Sequence, residues 1–273
     1  MMKIISKIIA FFVGTTMSLN VWNTNTPNEG EKIIINTTPI EESIVVEDIT
    51  VGGYSPQNTS TTSTTTSTSG WWKYPNEIKL TKRNGDDLLV LVNKEYRLSE
   101  NYVPSDLVSA SLSGIRRGGS YRVRNIIIND LRDLVNQAKS DGIDLAVRSA
   151  YRSYQDQLTT YNYWLRHNKN IADDADKVSA RAGHSQHQLG TAVDFTSSEI
   201  QDGIGGRFHT TQAAKWLEEN AWKYGFVISF PKGYESTTGY NYESWHYRYI
   251  GKDNAQEMIN DGKILEIYLR GKN

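Results

Sequence analysis

From Thr59 to Ser69 every residue is serine or threonine. Such a run buries almost no apolar surface, so nothing offsets the entropy of ordering it. The tract reads as a flexible spacer, and it divides the chain. Residues 23–70 as a whole carry six acidic residues and one Lys, with short apolar patches at Ile33 to Ile35 and Ile44 to Val46. Beyond the tract about 200 residues remain, the size of one domain around one core. The fold is therefore expected within residues 71–273, opening near Trp71.

The start of the chain has its own pattern. Lys3 and Lys7 precede an apolar stretch from Ile8 to Trp22, broken by Gly14, Thr15, Thr16, Ser18 and Asn20. A basic start followed by an apolar run is the order of a secretory signal. No convincing small-x-small cleavage site follows, so an uncleaved anchor through residues 8–22 stays open. The run is short and polar for a spanning helix of about 20 residues. A core helix is the other reading, but nothing after the run looks foldable until Trp71. Residues 1–22 are thus expected to be a signal peptide or membrane anchor, and residues 23–70 a linker. This order suits an extracytoplasmic protein, anchored or secreted.

Composition excludes several classes. Thirty basic and 31 acidic residues give a net charge of −1, which offers no electrostatic case for nucleic-acid binding. Cysteine is absent, which excludes disulfides, thiolate metal sites, a cysteine nucleophile and a lipid anchor on cysteine. A metal would have to be held by His, Asp or Glu, and the chain has five histidines.

Within the domain, Leu88 to Val92 reads as a short strand. Ile127, Leu131, Leu134, Val135 and Ala138 recur at helical spacing, which predicts a helix over 126–140 stopped by Gly142. Ile143, Leu145 and Val147 alternate, as in a half-buried strand. Ser153 is placed to cap a second helix with Leu158, Tyr161 and Leu165 on one face. A third helix is expected over 211–224, ended by Gly225, and a short one over 253–260. Strands are expected over 192–195, 226–230, 245–250 and 264–269. Early helices with later strands indicate an α+β fold with a small antiparallel sheet flanked by helices.

Two histidines stand in dense polar strings: Ser185-Gln186-His187-Gln188-Leu189-Gly190-Thr191-Ala192-Val193-Asp194, and Glu243-Ser244-Trp245-His246-Tyr247-Arg248. Two imidazoles and one carboxylate form the three-ligand set of a catalytic zinc, with a position left for water. Glu243, three residues before His246, is close enough to take a proton from that water without being a ligand. By spacing alone, His187 and Asp194 also fit a capping pair or a core hydrogen bond. Gly190 also fits a bare turn, Glu243 a surface carboxylate and Trp245 a core aromatic. The helical H-E-x-x-H signature is absent.

The strings Ser-x-His-Gln-x-Gly-x-Ala-x-Asp and Glu-x-Trp-His-Tyr-Arg resemble the VanY-type D-alanyl-D-alanine carboxypeptidases, zinc peptidases related to the D-Ala-D-Ala dipeptidases. Ser149-Ala150-Tyr151-Arg152-Ser153-Tyr154-x-x-Gln157 resembles a third motif of that family, and the likeness runs from about Leu88 to Gly251. It implies one zinc on His187, Asp194 and His246, with Glu243 as general base. It implies that Arg152 polarises the scissile carbonyl, and that Gln157, Ser185 and Trp245 contact substrate. The implied activity is removal of a terminal D-amino acid, D-Ala first, from peptidoglycan stem peptides at the bacterial cell wall. L,D-carboxypeptidase and stem-peptide endopeptidase activities remain alternatives, as does a non-catalytic wall-binding module. Two departures stand out: His184, a possible competing ligand, and Phe230, where relatives often carry Tyr.

Overall fold

Apolar side chains recurring every third or fourth residue set the helices of this domain. The computed structural model describes residue 70 and residues 72–273. The expected anchor at 1–22, and the linker at 23–70 apart from Gly70, lie outside the described residues.

A short parallel pair joins β1 (Lys79–Leu80) and β2 (Tyr96–Arg97). An antiparallel pair joins β3 (Leu107–Ser109) and β4 (Arg122–Arg124). Then follow α1 (Ile128–Ser140), β5 (Leu145–Ser149), α2 (Tyr154–His167), α3 (Ala172–Val178) and β6 (Ala192–Ser197). After these come α4 (Gln212–Asn220), β7 (Phe226–Ile228), the single turn α5 (Glu235–Thr238) and β8 (His246–Tyr249). Helices α6 (Lys252–Asn260) and α7 (Leu265–Lys272) close the chain. The main sheet runs β5-β6-β8-β7, antiparallel throughout. This is the expected α+β architecture.

Local chemistry explains the helix ends. The Ser153 hydroxyl accepts from the Asp156 N–H, and Asp156 accepts from the Ser153 N–H, a reciprocal capping box that starts α2. Thr211 caps α4 by accepting from the Ala214 N–H at 3.0 Å. Leu131, Leu134 and Ala138 of α1 pack into the main core with Val193 and Phe195 of β6, Leu217 of α4 and Phe226 of β7. Leu91, Ile250, Met258, Leu265, Tyr268 and Leu269 form a second cluster.

Two expectations are corrected. Leu88 to Val92 is an irregular buried segment, not a strand. Its alternation is real: Leu91 joins one cluster, Val90 and Val92 another. Its backbone, however, bonds to side chains. The Arg248 guanidinium donates to the carbonyls of Leu88 (3.0 Å) and Val90 (3.3 Å), and Asp87 accepts from the Leu89 N–H (2.8 Å). Residues 265–269 belong to α7, with Ile264 as its N-cap, rather than to a strand. Leu265, Tyr268 and Leu269 share a buried face at helical spacing, and that face packs on the second cluster.

Candidate metal centre

Strand register brings the motif residues together. In the main sheet Asp194 on β6 stands opposite His246 on β8, and Ser149 on β5 stands opposite Asp194. His187 arrives from a tight 3-10 turn, Gln186–Leu189, just ahead of β6. The Ser185 hydroxyl accepts from the His187 N–H (3.3 Å), and Gly190 ends the turn at φ +68°. A Cβ on Gly190 would lie 3.0 Å from Arg124 Cγ and from Leu107 Cδ2. That position needs glycine both for left-handed backbone and for clearance.

One Asp194 oxygen lies 2.9 Å from His246 Nδ1 and the other 3.3 Å from His187 Nε2. One ligand-type atom from each of the three residues lies within 4.8 Å of the others, and all three residues are buried. His187 Nδ1 bonds the Ala150 carbonyl at 2.7 Å, so its N–H is fixed there and the Nε2 lone pair faces the cluster. His246 is turned the other way. Its Nδ1 faces Asp194, and its Nε2 lies 3.2 Å from Gln186 Oε1.

This donor set fits a metal. His246 meets an acceptor oxygen at each ring nitrogen, while a neutral imidazole has one N–H. A cation at Nδ1 resolves the conflict and leaves Nε2–H to donate to Gln186. Two imidazoles and a carboxylate supply three corners of a tetrahedron and leave the fourth open, the pattern of catalytic zinc.

Electrostatics agree. Burial pushes the His187 pKa down and keeps its lone pair available. Burial alone would raise the Asp194 carboxyl, but His187 and His246 beside it hold it well below the usual carboxylate range. Glu243 is placed by a turn in which its N–H donates to the Phe230 carbonyl (3.0 Å) and its carbonyl accepts from the His246 N–H (3.3 Å). Its Oε2 is 3.8 Å from His246 Nδ1. Burial, with the charge of Asp194, pushes Glu243 up to about 7 against the opposing pull of His246 and Arg152. The Glu243 side chain is 16% exposed, against 5% for His246. Among the described residues its carboxylate accepts no hydrogen bond.

Arg152 follows β5. Its N–H donates to the His187 carbonyl (3.2 Å), Nη1 to Gln157 Oε1 (2.7 Å) and Nη2 to Ser149 Oγ (3.0 Å). All these acceptors are neutral, and among the described residues Arg152 forms no salt bridge. Burial disfavours its charge, while Asp194 and Glu243 favour it.

Of the other sequence-predicted residues, two hold members of these five in place. Gln157 is 1% exposed and holds Arg152, with its own amide donating to the Ala180 carbonyl (2.6 Å). Ser185 caps the His187 turn. Trp245 is partly buried against the main core. His184 stands outside the cluster: its Nδ1 bonds the Asn93 carbonyl (2.7 Å), and burial lowers its pKa to about 4. Sequence reasoning did not single out Ser229, nor Ser149 and Gln186 individually. Gln186 occupies a variable place inside its quoted string, Ser149 is the named first residue of another, and Ser229 carries no local signal.

Comparison with known proteins gives the family. The family model for VanY, D-alanyl-D-alanine carboxypeptidase, matches residues 120–252, a span that holds every site residue named above. A D-alanyl-D-alanine carboxypeptidase of Enterococcus faecalis (strain ATCC 700802 / V583) is 31% identical, over 71% of this chain and 71% of its own. The solved LdcB LD-carboxypeptidase, described for its peptidoglycan recognition, superposes with a TM-score of 0.63 at 32% identity, covering 73% of this chain and 97% of its own. A variant of the vancomycin-resistance D,D-pentapeptidase VanY in complex with Zn(II) gives a TM-score of 0.56 at 30% identity, covering 66% and 98%. By sequence and by fold, the chain belongs to the VanY family of D-alanyl-D-alanine carboxypeptidases.

Proposed function

We propose that the chain is a zinc-dependent carboxypeptidase that removes the terminal D-amino acid, D-Ala first, from peptidoglycan stem peptides. One observation carries the reading: a buried His187/Asp194/His246 set lies beside a carboxylate that accepts no hydrogen bond among the described residues and a guanidinium that donates to neutral oxygens. A zinc ion held by those three residues supplies Lewis acidity, which polarises a carbonyl and brings the pKa of water toward neutrality. Glu243 takes the proton from the attacking water and returns it to the leaving amine. Glu243, which accepts no hydrogen bond among the described residues and whose side chain is 16% exposed, is free for both transfers. Arg152, held by Gln157 and Ser149, points its remaining N–H groups at the developing oxyanion. Gln157 and Ser185 act on substrate through what they hold, Arg152 and the His187 turn, and Trp245 walls the pocket.

The same site supports a second reading, L,D-carboxypeptidase activity on tetrapeptides, because LdcB is among the similar structures. In either case residues 1–22 direct the chain out of the cytoplasm, residues 23–70 act as a spacer, and the domain spans 71–273. Incubation of the zinc-loaded chain with defined pentapeptide and tetrapeptide stems, read by mass, tests the function. Loss of one alanine from the pentapeptide is expected. Loss from the tetrapeptide alone selects the L,D reading, and two intact peptides contradict both.

A further inference from the structure

We infer that Gln186 is a positioning residue of the metal centre: together with Ser229 it locks His246 in the tautomer whose Nδ1 lone pair faces the cation. The inference rests on the zinc reading above and adds residues to it. Gln186 Oε1 lies 3.2 Å from His246 Nε2, and the Ser229 hydroxyl donates to the same oxygen at 2.7 Å. The Ser229 N–H, one residue past β7, also donates to the His246 carbonyl (3.1 Å), which holds Ser229 beside the start of β8. Gln186 is 8% exposed and Ser229 2%, which leaves little room for water to take over either contact.

The two ligand histidines are thereby set by different devices. His187 has its Nδ1–H fixed by a main-chain carbonyl, which no side-chain substitution removes. His246 depends on a side chain. An amide oxygen at Nε2 demands a proton there, which vacates Nδ1 for a cation. With the amide reversed, its NH2 would face Nε2, the ring proton would move to Nδ1, and the ligand atom would be blocked. Ser229 favours the productive orientation by donating to the oxygen.

The test uses the full chain and zinc itself. Gln186→Met keeps the length and removes the acceptor. It should weaken zinc about 10- to 100-fold in competition with a chelator of known affinity. Gln186→Glu, a stronger acceptor in the same place, should match or exceed wild-type affinity, and Ser229→Ala should lose less than Gln186→Met. The imidazole 15N spectrum of the zinc-loaded wild type should show His246 protonated at Nε2. Wild-type affinity in a folded Gln186→Met overturns the inference. If that variant does not fold, equal affinity of wild type, Gln186→Glu and Ser229→Ala overturns it instead. A wild-type chain that binds no zinc overturns the zinc reading as well, and so separates the two failures.

Discussion

Two polar clusters lie buried in this domain, one around Asp194 and one around Asp176, and their charges end differently. The Asp176 carboxylate accepts from Arg181 through Nε (3.0 Å) and Nη2 (2.7 Å) and from the Tyr161 hydroxyl (2.8 Å). Its carbonyl accepts from Lys94 Nζ (2.9 Å), whose ammonium lies over the rings of Tyr240 and Tyr74. Burial lowers Lys94 to about 8, and π faces with a carbonyl replace its lost water. In this cluster carboxylate meets guanidinium. Around Asp194 the partners are imidazoles, Glu243 has no hydrogen-bond donor among the described residues, and Arg152 donates to neutral oxygens. A buried cluster closed by its own counter-ion ties loops together. One left open keeps donor atoms to offer a cation and a polar substrate instead.

The contrast predicts activity loss without stability loss at the open cluster, and the reverse at the closed one. Glu243→Gln should lower turnover by about 10²- to 10⁴-fold or more, because it removes the proton acceptor and keeps the shape. A zinc-loaded, fully active variant would take Glu243 out of the mechanism. Arg152→Lys should cost about 10²-fold, mainly in kcat, since one ammonium cannot reproduce the planar fork. An unchanged kcat would place Arg152 outside the oxyanion contact.

Smaller effects concern stability. Glu243 has a folded pKa of about 7, raised above its ordinary 4.5, so the folded state binds that proton more tightly. Its contribution is complete below about pH 4.5 and is lost as pH rises through about 7. Metal-free wild type should lose up to about 3 kcal/mol relative to Glu243→Gln across that window. Denaturant melts of the two proteins with equal pH slopes would contradict the burial of this carboxylate. Asp176→Asn should cost about 2 kcal/mol, less than a fully buried pair because the Arg181 side chain is 42% exposed. Its turnover should stay within about twofold of wild type. A tenfold loss there would mean that the two clusters are not separable.

The residues of the candidate site are the ones the sequence shows best. By spacing alone His187, Asp194 and Glu243 also fit capping, core or surface roles; the resemblance of their strings and that of His246 to a known family singles them out, and β6–β8 register brings the strings into contact. Helix starts were equally readable, because a cap such as Ser153 acts within one turn. What failed was long-range. The backbone of Leu88 to Val92 is satisfied from Arg248, 158 positions on from Val90, and nothing local announces that. Residues 264–269 satisfy both strand alternation and a helical face, and packing on Met258 and Ile250 decides. The holding roles of Gln157 on Arg152 and of Ser229 on Gln186 likewise exist only after folding.

Zinc content separates an open cluster that binds a cation from one that does not. Elemental analysis of the purified chain, of Glu243→Gln and of His187→Ala should find about one zinc in each of the first two and none in the third. Full occupancy in His187→Ala, or its loss in Glu243→Gln, would contradict the division between ligands and base proposed here.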